Sequence, residues 1–123
     1  MYNVLVCDDE KDIVSALQIY LKSEGYQVFS AYNGKEALKI INREDIQLVL
    51  MDIMMPVMDG LEATRRIRTC THPRGATVPI IAISANAFAD DIQKAKNAGM
   101  NEHLAKPFEM EKVLRTISRY HKV

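Results

Sequence analysis

Five times along the chain a short strand-like run ends at a polar residue and gives way to a stretch whose apolar residues recur at three and four positions. Strict alternation of strand and helix leaves few architectures open. It predicts an α/β fold with a doubly wound, five-stranded parallel sheet, helices on both faces and right-handed crossovers between strands. The third run, Leu48 to Met51, is aliphatic without alternation, as a strand covered on both faces requires, and it stops at Asp52 before a loop punctuated by Pro56 and Gly60.

The first strand is Val4 to Cys7, broken at Asp8-Asp9-Glu10. Ile13, Ala16, Leu17, Tyr20 and Leu21 then share a helical face, with Gly25 as the stop after Glu24. Val28 to Ala31 is the second strand, and Asn33 followed by Glu36 forms a capping pattern ahead of Ala37, Leu38 and Ile41. Asp59 and Glu62 repeat that pattern before a third helix carrying Leu61, Thr64 and Ile67, with Arg65, Arg66 and Arg68 on its expected solvated face. The stretch 71–77 reads as a loop, Val78 to Ile83 as the fourth strand, and Phe88, Ile92, Ala95 and Ala98 as a fourth helix stopped by Gly99. A short strand from Glu102 to Ala105 reaches Lys106-Pro107, and Met110, Val113, Leu114 and Ile117 line the fifth helix, whose tail frays from Tyr120.

Residues 1–123 are expected to form a single domain, large enough to remove roughly two-thirds of the chain's surface from water. Sixteen basic residues balance sixteen acidic ones, so no global field draws in nucleic acid or anionic lipid. Two cysteines, one closing a buried strand, suit a reduced cytoplasm better than a disulfide framework, and no run approaches a membrane span. The opening Met1-Tyr2-Asn3 gives no expectation of export or anchoring.

Each informative polar residue lies just past a strand: Asp8 and Asp9, Asp52, Ser84, Lys106. In a parallel sheet these ends share one edge, where ligands gather. Three ionised carboxylates there repel one another and want a hard divalent cation, Mg²⁺ above all. Each residue has a plainer role when taken alone: Asp8 or Asp9 as a helix cap, Asp52 as an Asx turn, Ser84 and Lys106 as surface groups. Together they suit phosphoryl transfer, in which a metal, an ammonium and a hydroxyl face three charged equatorial oxygens and Asp52 remains as the nucleophile.

From Asn3 to about Ile117 the chain resembles the receiver domain of two-component response regulators, on D-D at 8–9, D at 52 followed by M-P and D-G, S-A at 84–85 and K-P at 106–107. The resemblance implies the strand order 2-1-3-4-5 of a flavodoxin-like three-layer sandwich and a cis Lys106-Pro107 bond. It also implies Mg²⁺ held by Asp9, Asp52 and the backbone carbonyl of Met54, with Asp8 acting partly through water. Asp52 would take phosphate from a kinase phosphohistidine, with Lys106 and Ser84 assisting, and the surface of the fourth helix, fifth strand and fifth helix would switch. The partners implied are a histidine kinase or phosphotransfer protein and a downstream effector domain or protein, and a phosphorylation-dependent dimer is compatible. Where the family carries Tyr or Phe as its inward-swinging side chain this chain has His103, which leaves open an edge-strand histidine facing solvent. Asp8 to Arg68 is similar to receivers of DNA-binding regulators, and Ser84 to Asn101 to those of hybrid kinases.

Three other readings compete. A flavodoxin-like cofactor binder would need a Ser/Thr/Gly-rich phosphate loop where Asp8-Asp9-Glu10 stands. An aspartate-based, Mg-dependent phosphohydrolase would be expected to place a second Asp two residues after the nucleophile, where Met54 stands. A degenerate receiver serving only as a binding module is disfavoured because every chemical position is filled. The expectation is a phosphoacceptor rather than an enzyme in the ordinary sense.

Overall fold

The computed structural model describes residues 2–85 and 89–121. Its elements run β1 (Asn3–Cys7), α1 (Lys11–Ser23), β2 (Gln27–Ala31), α2 (Gly34–Arg43), β3 (Leu48–Asp52), α3 (Gly60–Arg68), β4 (Ile80–Ser84), α4 (Ala89–Ala98), β5 (Glu102–Ala105) and α5 (Met110–Tyr120). The five strands are all parallel and lie in the order β2-β1-β3-β4-β5, as the resemblance implied.

Successive strand residues point to opposite faces, and both faces are covered, so apolar runs need no alternation. Leu5, Cys7, Val49, Met51, Ile80 and Ala82 pack under α2, α3 and α4. Val4, Val6, Leu48, Leu50, Ile81 and Ile83 pack under α1 and α5. Burying one such aliphatic side chain is worth about 1.5–3 kcal/mol, so the central strands dominate the stability.

The helix ends follow the predicted capping chemistry. Asn33 Oδ1 accepts from Glu36 N at 2.9 Å and Asp59 Oδ1 from Glu62 N at 2.8 Å. Gly25 and Gly99 leave their helices at φ 94° and 112°, a region where a side chain is strained. Gly60 serves a different end: a Cβ there would stand 2.2 Å from the carbonyl oxygen of Asp52, so only glycine lets α3 start against the end of β3.

Four details differ from expectation. The face of α1 on the sheet is Val14, Leu17 and Leu21, while Ala16 is exposed and Ile13 half-buried. Strand β4 begins at Ile80, because the Val78 carbonyl accepts from Arg68 Nη1 at 2.7 Å instead of joining a ladder. Asp52 and Ser84 are the last residues of their strands rather than the first beyond them, since Ile53 N still reaches Ile83 O and Lys106 N reaches Ser84 O. Arg68 does not belong with Arg65 and Arg66 on the solvated face. Its guanidinium is half-buried against carbonyl oxygens of residues 75, 78 and 99. Phe88, assigned to the fourth helix from sequence, and Asn86 and Ala87 of the preceding loop lie outside the described residues.

Candidate functional site

Parallel pairing brings the carboxyl ends of β1, β3, β4 and β5 to one edge, with Cys7 opposite Met51, Asp52 opposite Ile83 and Ser84 opposite Ala105. Asp8, Asp52 and Ser84 are almost wholly buried there, while Asp9 is exposed. One carboxylate oxygen from each of Asp8, Asp9 and Asp52 lies within 4.8 Å of the other two. Asp8 Oδ1 accepts from Glu10 N at 2.9 Å, and its buried Oδ2 is left facing the Lys106 ammonium.

Lys106 reaches into this cluster. Its Nζ stands 3.0 Å from Asp8 Oδ2, 3.2 Å from Glu10 Oε1 and 3.5 Å from Asp52 Oδ2, with the side chain 15% exposed. Burial alone would push the ammonium's pKa down, but the carboxylates outweigh it and hold the value above the ordinary one. Asp52 moves the other way for a carboxyl. Burial first, then the Asp8 charge, push its pKa up to about 7, against the pull of Lys106. One ammonium thus leaves the buried carboxylates short of positive charge, and a set of three converging oxygen donors fits a hard divalent cation.

Around the acidic centre the surroundings are unequal. On one side a groove of about 520 Å³ is lined by Glu10, Ile13, Ala16, Lys106, Phe108 and Met110. On the other, Ser84 borders a cavity of only about 40 Å³ with Ile53, Met54, Leu61, Asp91 and Lys94. The backbone amide of Met54 pulls the Asp52 pKa down, and the Met54 residue is 71% exposed. The Lys106-Pro107 bond is cis.

The family model for the response regulator receiver domain matches residues 4–118. The chain belongs to that family. It is 34% identical over 117 residues to sporulation initiation phosphotransferase F of Bacillus subtilis, covering 95% of this chain and 91% of that protein. It is 37% identical over 117 residues to the sensor histidine kinase RcsC of Escherichia coli, covering 95% of this chain but 12% of the kinase. The receiver domain of the sensor histidine kinase PA1611 from Pseudomonas aeruginosa, solved with a magnesium ion coordinated in its active-site cleft, superposes with a TM-score of 0.88 at 36% identity, covering 97% of this chain and 96% of that one. Receivers are signalling modules of two-component systems that interact with histidine kinases or phosphotransfer proteins and with effectors.

Against the expected site, the structure gathers Asp8, Asp9, Asp52 and Lys106 at one point and puts Ser84 at the adjoining strand end. His103 stands apart, in the middle of β5 and half-buried, with Nε2 buried and without a hydrogen-bond partner among the described residues. Sequence reasoning missed Glu10, which it read only as part of a phosphate-repelling loop, and the closeness of Gly60 to Asp52. A Glu in a helix-capping position, where Ser, Thr, Asp or Asn is preferred, was the available signal for the first. Among the described residues no helix is long and apolar enough to cross a membrane.

Proposed function

We propose that residues 1–123 act as a single receiver domain in which Asp52 is the phosphoacceptor. The carrying observation is the clustering of Asp8, Asp9 and Asp52 within 4.8 Å, with Lys106 at 3.5 Å from Asp52. In this reading an Asp52 oxygen attacks the phosphorus of a kinase or phosphotransfer-protein phosphohistidine. The O–P bond forms as the N–P bond breaks, and the imidazole leaves with the bonding pair. Mg²⁺, held by Asp8, Asp9, Asp52 and the Met54 backbone carbonyl, would neutralise charge on the transferring oxygens. Lys106 supplies a second positive partner and Ser84 a hydroxyl donor.

Once phosphate stands on Asp52, Ser84 gains a strong acceptor, and its shift toward the phosphoryl biases the surface of α4, β5 and α5, with His103 on that path. The output passes to an effector domain or protein, with a phosphorylation-dependent dimer as one form of it, and the setting is cytoplasmic. Met54 favours a phosphoacceptor over a phosphohydrolase, because the side chain at that position offers no proton to a leaving group. Intact mass after incubation with acetyl phosphate and Mg²⁺ tests the reading. One phosphoryl adduct is expected, lost with EDTA and lost in Asp52→Asn, and an adduct of undiminished yield on that variant would sink it.

A further inference from the structure

Glu10 occupies the N-cap position of α1, yet its side chain makes no capping hydrogen bond. An N-cap oxygen ordinarily satisfies a free N–H of the first turn. Here the backbone carbonyl of Glu10 does the helical work, accepting from Val14 N at 3.2 Å, while the carboxylate crosses to the far end of the chain and accepts from Lys106 Nζ at 3.2 Å. That side chain is 60% exposed, whereas the other two acceptors around Lys106, Asp8 and Asp52, are buried.

We infer that Glu10 is a positioning residue: it restrains the Lys106 ammonium in the resting site and so sets how tightly that site takes a phosphoryl group. The inference rests on Asp52 being the phosphoacceptor. An ammonium has three donors, and three carboxylates already face it. A phosphoryl group on Asp52 brings new anionic oxygens, so Lys106 must turn toward them and release an acceptor. Asp8 is a poor choice, since its side chain is fully buried and no water can take the ammonium's place there. Glu10 is exposed, so water replaces the ammonium at little cost. Its carboxylate is therefore the exchangeable partner, and its hold on Lys106 opposes the phosphorylated state.

The experiment is titration of the purified chain with beryllofluoride, a phosphoryl stand-in, at saturating Mg²⁺, for wild type, Glu10→Gln and Glu10→Asp. Both variants weaken the hold on Lys106, the first by removing the negative charge while keeping an amide oxygen and the second by keeping the charge while shortening its reach. Each should bind beryllofluoride roughly two- to fivefold more tightly than wild type, the factor an exposed ion pair supports. Separate Mg²⁺ titrations should move less than about twofold, because Glu10 acts on the ammonium and not on the metal cluster. Unchanged beryllofluoride affinity in Glu10→Gln overturns the inference. So does Glu10→Asp behaving as wild type, which would make the effect one of charge rather than contact, or Mg²⁺ affinity falling about tenfold. Wild type that takes no beryllofluoride at all would instead sink the phosphoacceptor reading on which this one rests.

Discussion

Lys106 and Arg68 are both cations drawn into the fold, and they are held by opposite means. Lys106 faces three carboxylates and no two at the same distance. Among the described residues Arg68 meets only neutral oxygens: Nε and Nη2 donate to Gly99 O at 3.0 and 2.7 Å, Nη1 to Gly75 O and Val78 O at 3.1 and 2.7 Å, and Nη2 also to Asn101 Oδ1 at 2.9 Å. That same Asn101 oxygen accepts from Ile80 N, so the end of α3, the start of β4 and the turn after α4 are fastened to one guanidinium. Burial lowers the Arg68 pKa, and among the described residues no carboxylate offsets it. Carbonyl oxygens fixed by the backbone cannot be redistributed when charge arrives elsewhere. Carboxylates can gain a proton, a metal or a phosphoryl group. One cation is an anchor, the other a movable part.

The largest effect should come from removing the anchor. Arg68→Ala leaves several half-buried carbonyls without a donor, at about 1–3 kcal/mol for each group that water cannot reach, so a loss of about 3 kcal/mol is expected in urea unfolding. The folded fraction should still take one phosphoryl group. Loss of phosphorylation with stability intact would reverse the assignment of the two cations.

Lys106→Ala should do less to the fold and more to the chemistry. Without divalent cation the buried Asp8 and Asp52 lose their counter-charge, at an expected cost of about 1–2 kcal/mol, limited because Asp52 can take up a proton. Millimolar Mg²⁺ should bring that variant most of the way back to wild type, whereas it should stabilise wild type and Arg68→Ala alike and leave the difference between those two unchanged. The phosphorylation response should fall tenfold or more even with Mg²⁺ present. Equal rescue of both variants by the metal would abolish the distinction.

Asp52 carries the sign of the charge imbalance. Its carboxyl pKa is raised from 3.8 to about 7 in the fold, so between those values the native state holds a proton that the unfolded chain has lost. Stability therefore falls as pH rises through that window and stays low above it. Asp52→Asn should remove this dependence and be more stable than wild type by about 1–2 kcal/mol at pH 8 in EDTA. Thermal unfolding between pH 5 and 8 measures it, and a wild type that grows more stable across that range by the same amount as the variant would contradict the strained carboxylate.

Much of this was legible because local chemistry and global fold agree. Unbroken apolar runs announce strands buried on both faces, and Asn33 and Asp59 mark helix starts with side chains that accept from the backbone N–H of Glu36 and Glu62. The polar residues at strand ends could be assembled into one site because a parallel sheet collects those ends. Arg68 was not legible. It lies in a run with Arg65 and Arg66, and the tertiary approach of residues distant in sequence, such as Gly99, where a Cβ would stand 2.9 Å from the Arg68 side chain, separates it from its solvated neighbours. The offset on α1 has a similar origin. Ile13 and Ala16 satisfy the helical period, but they open on the groove with Phe108 and Met110, and periodicity cannot tell a groove from a core.

The smallest expected effect joins the two cations along β5. That strand leaves Asn101, which Arg68 holds, and ends one residue before Lys106, with His103 between them. A signal entering at Lys106 should therefore weaken toward the anchored end. On adding beryllofluoride and Mg²⁺, backbone amide shifts should be largest at Ala105 and Lys106, smaller at His103, and near baseline at Gly99 and Asn101. Arg68→Ala, studied under conditions where it is folded, should let the change spread into residues 99–101, because the Gly99 carbonyl and the Asn101 side chain are no longer fastened. His103→Tyr should alter only the middle of the gradient, by placing a larger ring where one buried nitrogen without a partner among the described residues now sits. A wild-type shift at Asn101 as large as that at Lys106 would show that the guanidinium anchors nothing, since a fixed end is defined by not responding.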